Sequence, residues 1–120
     1  MNHTRYEQPQ AVEHLVFQVK PDSLEAWLAL DHELWTLGES QAWPGMVRKQ
    51  AWLNRLTPGE VHCVIYWRDH QSWMAIAPEW LAANEQRFAE RFGADDYRYV
   101  RSDHEAGMQC FKISETNLSP

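Results

Sequence analysis

The order in which the residue periodicity changes along the chain constrains the fold more than any other feature. Stretches of alternating, β-rich residues are strand patterns, and apolar residues three and four apart are helix patterns. Their order along this chain is β-α-β-β-α-β, which is typical of a ferredoxin-like α+β fold, a four-stranded antiparallel sheet with both helices on one face. The predicted segments are strands at 11–19, 46–55, 60–67 and 97–103 and helices from Asp22 or Ser23 to about Leu37 and from Pro78 to Gly93.

The remaining segments are turns and short elements. LTPGE, residues 56–60, joins two strands as a hairpin, because Pro and Gly supply the dihedral angles of a tight turn. We expect a short helix or loop at 68–77 and a further short strand within 104–113. The predicted organisation is a loosely packed or disordered leader at 1–11, one domain at 12–113 and a tail at 114–120.

Composition narrows the functional classes. The chain has 120 residues, 44% of them apolar, and a formal net charge of −6, so we expect one domain with a real core. The acidic balance argues against nucleic acid and anionic membranes as partners, because phosphate contacts need clustered Lys and Arg. No apolar run has the roughly 20 residues of a membrane span. Two distant cysteines and no signal-peptide pattern predict a cytoplasmic protein.

Several local sequences carry a resemblance to a known superfamily. They are a tryptophan late in the first helix, Pro-Gly before the second strand, and an aromatic-ended third strand followed by a short tryptophan-containing helix. With the element order, they resemble the dimeric α+β-barrel superfamily, which includes antibiotic-biosynthesis-monooxygenase-like and heme-degrading proteins. The chain also resembles a family of small proteins known mainly from cyanobacteria, through DHELWT, PGMVRKQAWLN, VIYWRDHQSWMAI and NEQRFAERFG.

The superfamily resemblance implies a homodimer whose open sheet faces meet, with a ligand pocket between each sheet and its own helices. Strand alternation independently predicts an apolar open face, which favours a second copy as the partner. Heme-degrading members use an Asn on the first strand and a His near the second helix. This chain has His14 on the first strand, and His70 is a loose candidate for the second position. The residues predicted on the open face are Val12, Val16, Trp52, Val64 and Tyr66.

Both long helices place a carboxylate at the centre of an apolar stripe. At about 100° per residue, Asp31 is centred among Trp27, Leu34 and Trp35, and Glu85 is centred among Leu81 and Phe88. A buried carboxylate needs a partner, and Lys49 on the second strand is the candidate. We therefore predict catalytic roles for three residues and a pocket around them. The catalytic candidates are Asp31, Glu85 and Lys49, and the pocket candidates are Trp27, Trp35, Trp67 and Phe17.

Two interpretations of this polar group remain open. It is either a pocket for a small aromatic or carbonyl-bearing molecule, with a carboxylate of raised pKa as general base, or a closed ion-pair network that fixes the helices on the sheet. The first predicts metal-free binding or oxidation, monooxygenase-like by resemblance. The second predicts a non-enzymatic binding or assembly module. A heme-binding protein is a third hypothesis.

We predict neither a cofactor nor a metal. His32-Glu33 begins the zinc-protease signature H-E-x-x-H, but the second His would be at position 36, which is Thr36. His14 and His62 are expected to meet on the open face as hydrogen-bonded residues. Cys63, in the middle of an apolar strand, is interpreted as a small buried hydrophobe.

Overall fold

The strands and helices follow the predicted order in a computed structural model that describes residues 1–119. Short 3₁₀ turns at Pro21–Ser23 and Ala94–Asp96 precede the first helix and the fourth strand. A π-helical segment, His32–Leu37, lies between α1 and α2. The elements are β1 (Asn2–Val19), α1 (Leu24–Asp31), α2 (Gly38–Ala42), β2 (Met46–Leu53), β3 (Glu60–Trp67), α3 (His70–Met74), α4 (Pro78–Phe92), β4 (Tyr97–Ser102) and β5 (Cys110–Asn117).

The sheet is antiparallel, with the order β2-β3-β1-β4, and β5 pairs with β1. The ferredoxin-like α+β fold predicted from the sequence is therefore confirmed. On β3, Val61, Cys63, Ile65 and Trp67 are buried toward the helices, as alternation requires. The core lies between this face and the helices, with one cluster around Trp27 and Phe88 and another around Trp67 and Ile76.

β1 is twice as long as the sequence predicted. Residues 2–10, expected to be a loose leader, belong to β1, and residues 2–5 pair with β5. β5 correspondingly extends to Asn117, into the segment predicted as a tail. The expectation failed because polar residues can form a strand when each backbone N–H and C=O finds a partner on a neighbouring strand.

The ribbon formed by the first half of β1 and β5 covers part of the open face. Lys112 on β5 lies over the rings of Tyr6 and Tyr66, and Arg48 on β2 is 3.3 Å from Glu115. Val16 and Val64, two of the residues predicted on a bare face, are buried within the monomer. The open face is thus smaller and more polar than the alternation indicated.

The first helical region passes through Gly38, where the sequence predicted its end. Gly38 has ordinary helical dihedrals, and its N–H bonds to the carbonyl of Glu33, five residues earlier. This wider turn continues into α2, so the helical region ends at Ala42. A glycine inside a helix has only a modest cost in stability. Helix propensity alone therefore cannot tell whether Gly38 lies inside the helix or just after its C-terminus.

No helix within residues 1–119 combines the length and the apolar character needed to cross a membrane.

Candidate active site

A cavity of about 650 Å³ lies between the sheet and its helices. Its walls are mainly apolar and include seven aromatic residues, and its polar groups come from β1, β2, the helices and residues 102–109. A volume of a few hundred Å³ with apolar walls and a few polar groups is typical of a small-molecule site. The aromatic residues in its lining are Phe17, Trp27, Trp35, Trp73, Phe88, Tyr97 and Tyr99.

The floor of the polar end is one row of residues across the sheet. Ile65 on β3 pairs with Lys49 on β2 and with Glu13 on β1, so all three side chains point toward the helices. Neighbouring strands are about 4.8 Å apart, so Glu13 and Lys49 flank Ile65 with roughly 10 Å between their backbones. All three residues line the cavity, so an acid and an ammonium group flank Ile65 on its floor.

Asp31 reaches this floor from α1. Its Oδ2 accepts a hydrogen bond from Lys49 Nζ at 2.8 Å, and the two side chains are only 9% and 7% exposed. The structure therefore places Asp31 and Lys49 together, as the helical pattern predicted. Because two desolvated charges stabilise each other only while both are present, this pair holds the helix and the strand in a defined relation.

Glu39 is the second carboxyl that the first helical region contributes. It lines the cavity, is 5% exposed, and has no hydrogen-bond or ion-pair partner among residues 1–119. Trp27, Asp31, Trp35 and Glu39 are four residues apart, and the wider π-helical turns bring Glu39 back toward the face of Asp31. A π-helical insertion in an α-helix is often found at a functional site.

The environments of Glu13 and Glu39 change their pKa values unequally. Burial raises the pKa of Glu13 to about 6, although the indole N–H of Trp67 (3.1 Å) and the charge of Lys49 oppose the change. Burial, and then the charge of Glu13, raises the pKa of Glu39 to about 8. At neutral pH Glu13 is therefore mostly ionised and Glu39 mostly protonated. Two neighbouring carboxyls with separated pKa values are suited to acid–base chemistry.

The four aromatic residues predicted for the pocket divide into two groups. Trp27, Trp35 and Phe17 line the cavity. Trp67 is fully buried beneath it and contributes indirectly, by donating its indole N–H to Glu13. The indole N–H of Trp27 is buried without a partner among the described residues, which is uncommon for a polar group in a core.

Glu85 does not join the polar end. Its side chain is exposed at the rim of the cavity, and no contact links it to Lys49 or Asp31. The adjacent Asn84 is buried instead and donates to the carbonyl of Leu34 at 2.9 Å. Ala82 and Ala89 lie on the same side of α4 as Glu85. Because alanines are readily exposed, the stripe is rotated toward Asn84 and Phe88.

Sequence reasoning missed Glu13 and Glu39. Glu13 alternates with Leu15 and Phe17 on the buried face of β1, and a carboxylate at such a position is a detectable signal. Glu39 lies beyond the predicted end of the first helix at about Leu37, so the helical periodicity was not used to predict which way its side chain points. Its four-residue spacing from Trp35 was the available signal.

A chain of hydrogen bonds crosses the open face, and two of its members, His14 and Asp103, also line the cavity. Nδ1 of His14 is 2.9 Å from Asp103, Nε2 of His14 is 2.8 Å from Nδ1 of His62, and Nε2 of His62 is 2.8 Å from Glu60. The structure thus places His14 and His62 in contact. When both carboxylates are ionised and all three bonds form, the four ring nitrogens hold three protons, so the pair carries one positive charge.

The remaining reactive candidates lack the chemistry they would need. His32 and Glu33 are exposed, and Glu33 pairs with Arg91. Burial raises the pKa of the Cys63 thiol to about 12, so it remains protonated and is a poor nucleophile. Within residues 1–119, no three His, Cys, Asp or Glu side chains are grouped so that they could hold a metal ion.

Comparisons with known proteins agree on the fold. No protein-family model matches the chain, and no curated protein matches it either. Among solved structures, MupZ from Pseudomonas fluorescens has a TM-score of 0.54 at 16% identity, over 78% of this chain and 68% of that one. SnoaB, a cofactor-independent oxygenase from Streptomyces nogalater, has a TM-score of 0.51 at 16% identity, over 93% and 99%.

A putative antibiotic biosynthesis monooxygenase from Bacteroides thetaiotaomicron has a TM-score of 0.49 at 18% identity, over 92% of this chain and 91% of that one. MupZ and SnoaB, whose TM-scores exceed 0.5, share the fold of this chain at 16% identity, and this likeness concerns the fold alone. None of the comparisons supports the further likeness to a family known mainly from cyanobacteria. At 16–18% identity these matches assign no role to any residue of the site.

Proposed function

We propose that the cavity binds a small aromatic molecule bearing a carbonyl group and that Glu13 removes a proton from a carbon that is activated by conjugation with that carbonyl. The observation that carries the proposal is the aromatic cavity whose polar end groups Glu13, Glu39 and the Asp31–Lys49 pair. A general base works best when its pKa is near the operating pH, and the pKa of Glu13, raised to about 6, meets that condition.

Lys49 supplies a positive charge that complements the negative charge formed on the substrate when Glu13 removes the proton. When the C–H bond breaks, its electron pair moves into the carbonyl and negative charge develops on the oxygen. An ammonium held by Asp31 and largely removed from water stabilises such a charge more than it would in solution. Asp31 is then a positioning residue, and Glu85, exposed at the rim, has no part in proton removal.

Oxidation by dioxygen is the proposed outcome for a substrate with an activated CH₂ group. The enolate is electron-rich and gives electrons to O₂. The CH₂ becomes a C=O, one oxygen atom enters the product, and the other leaves as water with the two hydrogens. The fold shared with SnoaB, a cofactor-independent oxygenase, supports this class of reaction as an analogy of fold.

Anthrone, an aromatic ketone with an activated CH₂ group, is a suitable probe. We expect oxygen uptake with one anthraquinone formed per O₂ consumed. The isosteric variant Glu13→Gln should slow the reaction at least ~100-fold, the usual contribution of a general base. Glu7→Gln, an exposed change on the same strand, should retain the wild-type rate. Tight binding of anthrone without turnover would identify a binding module and contradict the enzymatic part.

We also propose that two copies of the chain associate through the remaining open face near Trp52. Trp52, on the edge strand β2, is 52% exposed there. An uncovered edge strand with apolar side chains favours pairing with another chain. Light scattering should give twice the mass of one chain, and a stable monomer at micromolar concentration would contradict the proposal.

A further inference from the structure

The charges around the cavity are strongly unbalanced. Beside six carboxyl groups, its described lining contains one Lys or Arg, Lys49, and three histidines, His14, His70 and His104. A concave surface of one charge sign with low-dielectric walls attracts ligands of the opposite sign and repels those of its own. The six carboxyl groups belong to Glu13, Asp31, Glu39, Glu85, Asp103 and Glu105.

Most of these carboxyls already have a partner. Asp31 pairs with Lys49, Asp103 with His14, Glu105 with the hydroxyl of Tyr99, and Glu13 accepts from Trp67. Glu85 is exposed to water. Glu39 alone combines near-complete burial, a position in the cavity wall and the absence of any partner within residues 1–119. It is therefore the group that a ligand would satisfy.

Aromatic rings near Glu39 fit the same class of ligand. Trp35, four residues before Glu39, lines the cavity and packs edge-on against Trp80, with ring centroids 6.2 Å apart. An aromatic face attracts an ammonium group by cation–π interaction, most strongly for Trp. Carboxylates surrounded by aromatic rings thus suit a cation better than an anion or a neutral oxygen.

We propose that the ligand of this cavity carries a protonated amine next to its aromatic ring and that the carboxylate of Glu39 binds this ammonium group. The assignment rests on the proposed function, since it names the ligand class for the same cavity. On binding, Glu39 releases its proton to solvent and pairs with the ligand cation. Glu13 and the Asp31–Lys49 pair remain available for the chemistry.

Three ligands that share one ring system test the proposal. They are 2-naphthylmethylamine, 2-naphthylmethanol and 2-naphthoate, which are cationic, neutral and anionic at pH 7. Titration calorimetry should show the amine binding about tenfold or more tighter than the alcohol, as expected for a hydrogen bond between charged groups. The naphthoate should bind most weakly.

Proton release gives a readout in the unmodified protein. Because the pKa of Glu39 is raised to about 8, binding of the amine at pH 7 should release nearly one proton. Titrations in buffers of different ionisation enthalpy measure this number, which should be near zero for the alcohol. Glu39→Gln should remove both the proton release and the preference for the amine, whereas Glu7→Gln should preserve them.

The outcomes separate the two proposals. If the alcohol binds as tightly as the amine, or if the amine binds without releasing a proton, the assignment of a cationic ligand is wrong. The proposal that the cavity binds a small aromatic molecule is then unaffected. If none of the three naphthyl compounds binds while anthrone is still oxidised, the ligand class is wrong and the proposed function is retained; if anthrone is not oxidised either, both proposals are contradicted.

Discussion

At the scale of single residues, the polar end of the cavity depends on charges that are stabilised only by each other. Lys49 and Asp31 are both nearly buried and share one hydrogen bond. Glu39 avoids the cost of an unpaired buried charge by keeping its proton, which is why its pKa is raised to about 8. Stability should therefore be sensitive to substitution of Asp31 or Lys49, which depend on each other, and to pH through Glu39, which depends on its proton.

Asp31→Asn should strongly destabilise the fold, because it leaves the ammonium of Lys49 buried without its counter-charge. Removing one partner of a buried pair costs about 3 kcal/mol or more. Urea denaturation at pH 7 measures the loss. Arg48→Gln is the matched control, since the pair of Arg48 with Glu115 is largely exposed and is worth at most about 1 kcal/mol. Equal effects of the two variants would contradict a buried, mutually dependent pair.

Glu39 should make the free energy of unfolding fall as pH rises. Its pKa is about 8 in the folded state against 4.5 for an ordinary Glu side chain, so its contribution is fully present below pH 4.5 and is lost as pH rises through 8. Between pH 6 and pH 9 this loss amounts to about 3 kcal/mol. Glu39→Gln should therefore be less sensitive to pH by that amount in urea denaturation. An unchanged pH dependence, like that expected for Glu7→Gln, would refute the raised pKa.

At the scale of elements, close approaches between β1 and its neighbours position the site. The hairpin between β2 and β3 contacts the end of β1, where Val19 N–H donates to the carbonyl of Gly59 at 2.8 Å. Gly59 has a φ of 82°, and a Cβ there would lie 2.0 Å from the carbonyl oxygen of Val19. The Pro58–Gly59 turn predicted from the sequence is therefore also a packing contact.

Gly59→Ala should destabilise the protein by about 3 kcal/mol or more, because a positive φ and a backbone clash add together. Gly107→Ala is its control. Gly107 has a similar φ of 77°, but a Cβ there would meet no atom within 4 Å. That variant should lose only about 1 kcal/mol. The difference in thermal midpoint between the two variants measures the cost of the contact between position 59 and the backbone of Val19. Equal midpoints would show that the hairpin moves away from β1 at little cost.

At the scale of the whole molecule, the same sheet presents two unlike faces. One face forms the cavity under the helices, and the other carries the histidine chain and is partly covered by the β1–β5 ribbon. Trp52 remains 52% exposed on this second face. The proposed homodimer would bury it, and assembly would then be separable from ligand binding.

Trp52→Glu should shift the protein toward the monomer, because a charge in a paired apolar face is desolvated without a partner. We expect the dimer dissociation constant to rise at least ~100-fold, measured by analytical ultracentrifugation. Leu56→Glu, at a position 93% exposed in the hairpin turn, should leave it unchanged. A monomeric wild type, or a Trp52→Glu variant with unaltered assembly, would contradict pairing through this face.

The sequence by itself determined the order of the elements and the pairing of Asp31 with Lys49, because periodicity reports which side of a strand or helix is buried. It determined neither the full length of β1 nor the burial of Glu39, because both depend on partners distant in sequence. β5 supplies the backbone partners of residues 2–5, and a π-helical turn moves Glu39 onto the cavity wall. Only the tertiary structure decided that the space between Glu13, Asp31 and Glu39 is a cavity and not a closed core, since packing depends on how side chains from separate elements meet.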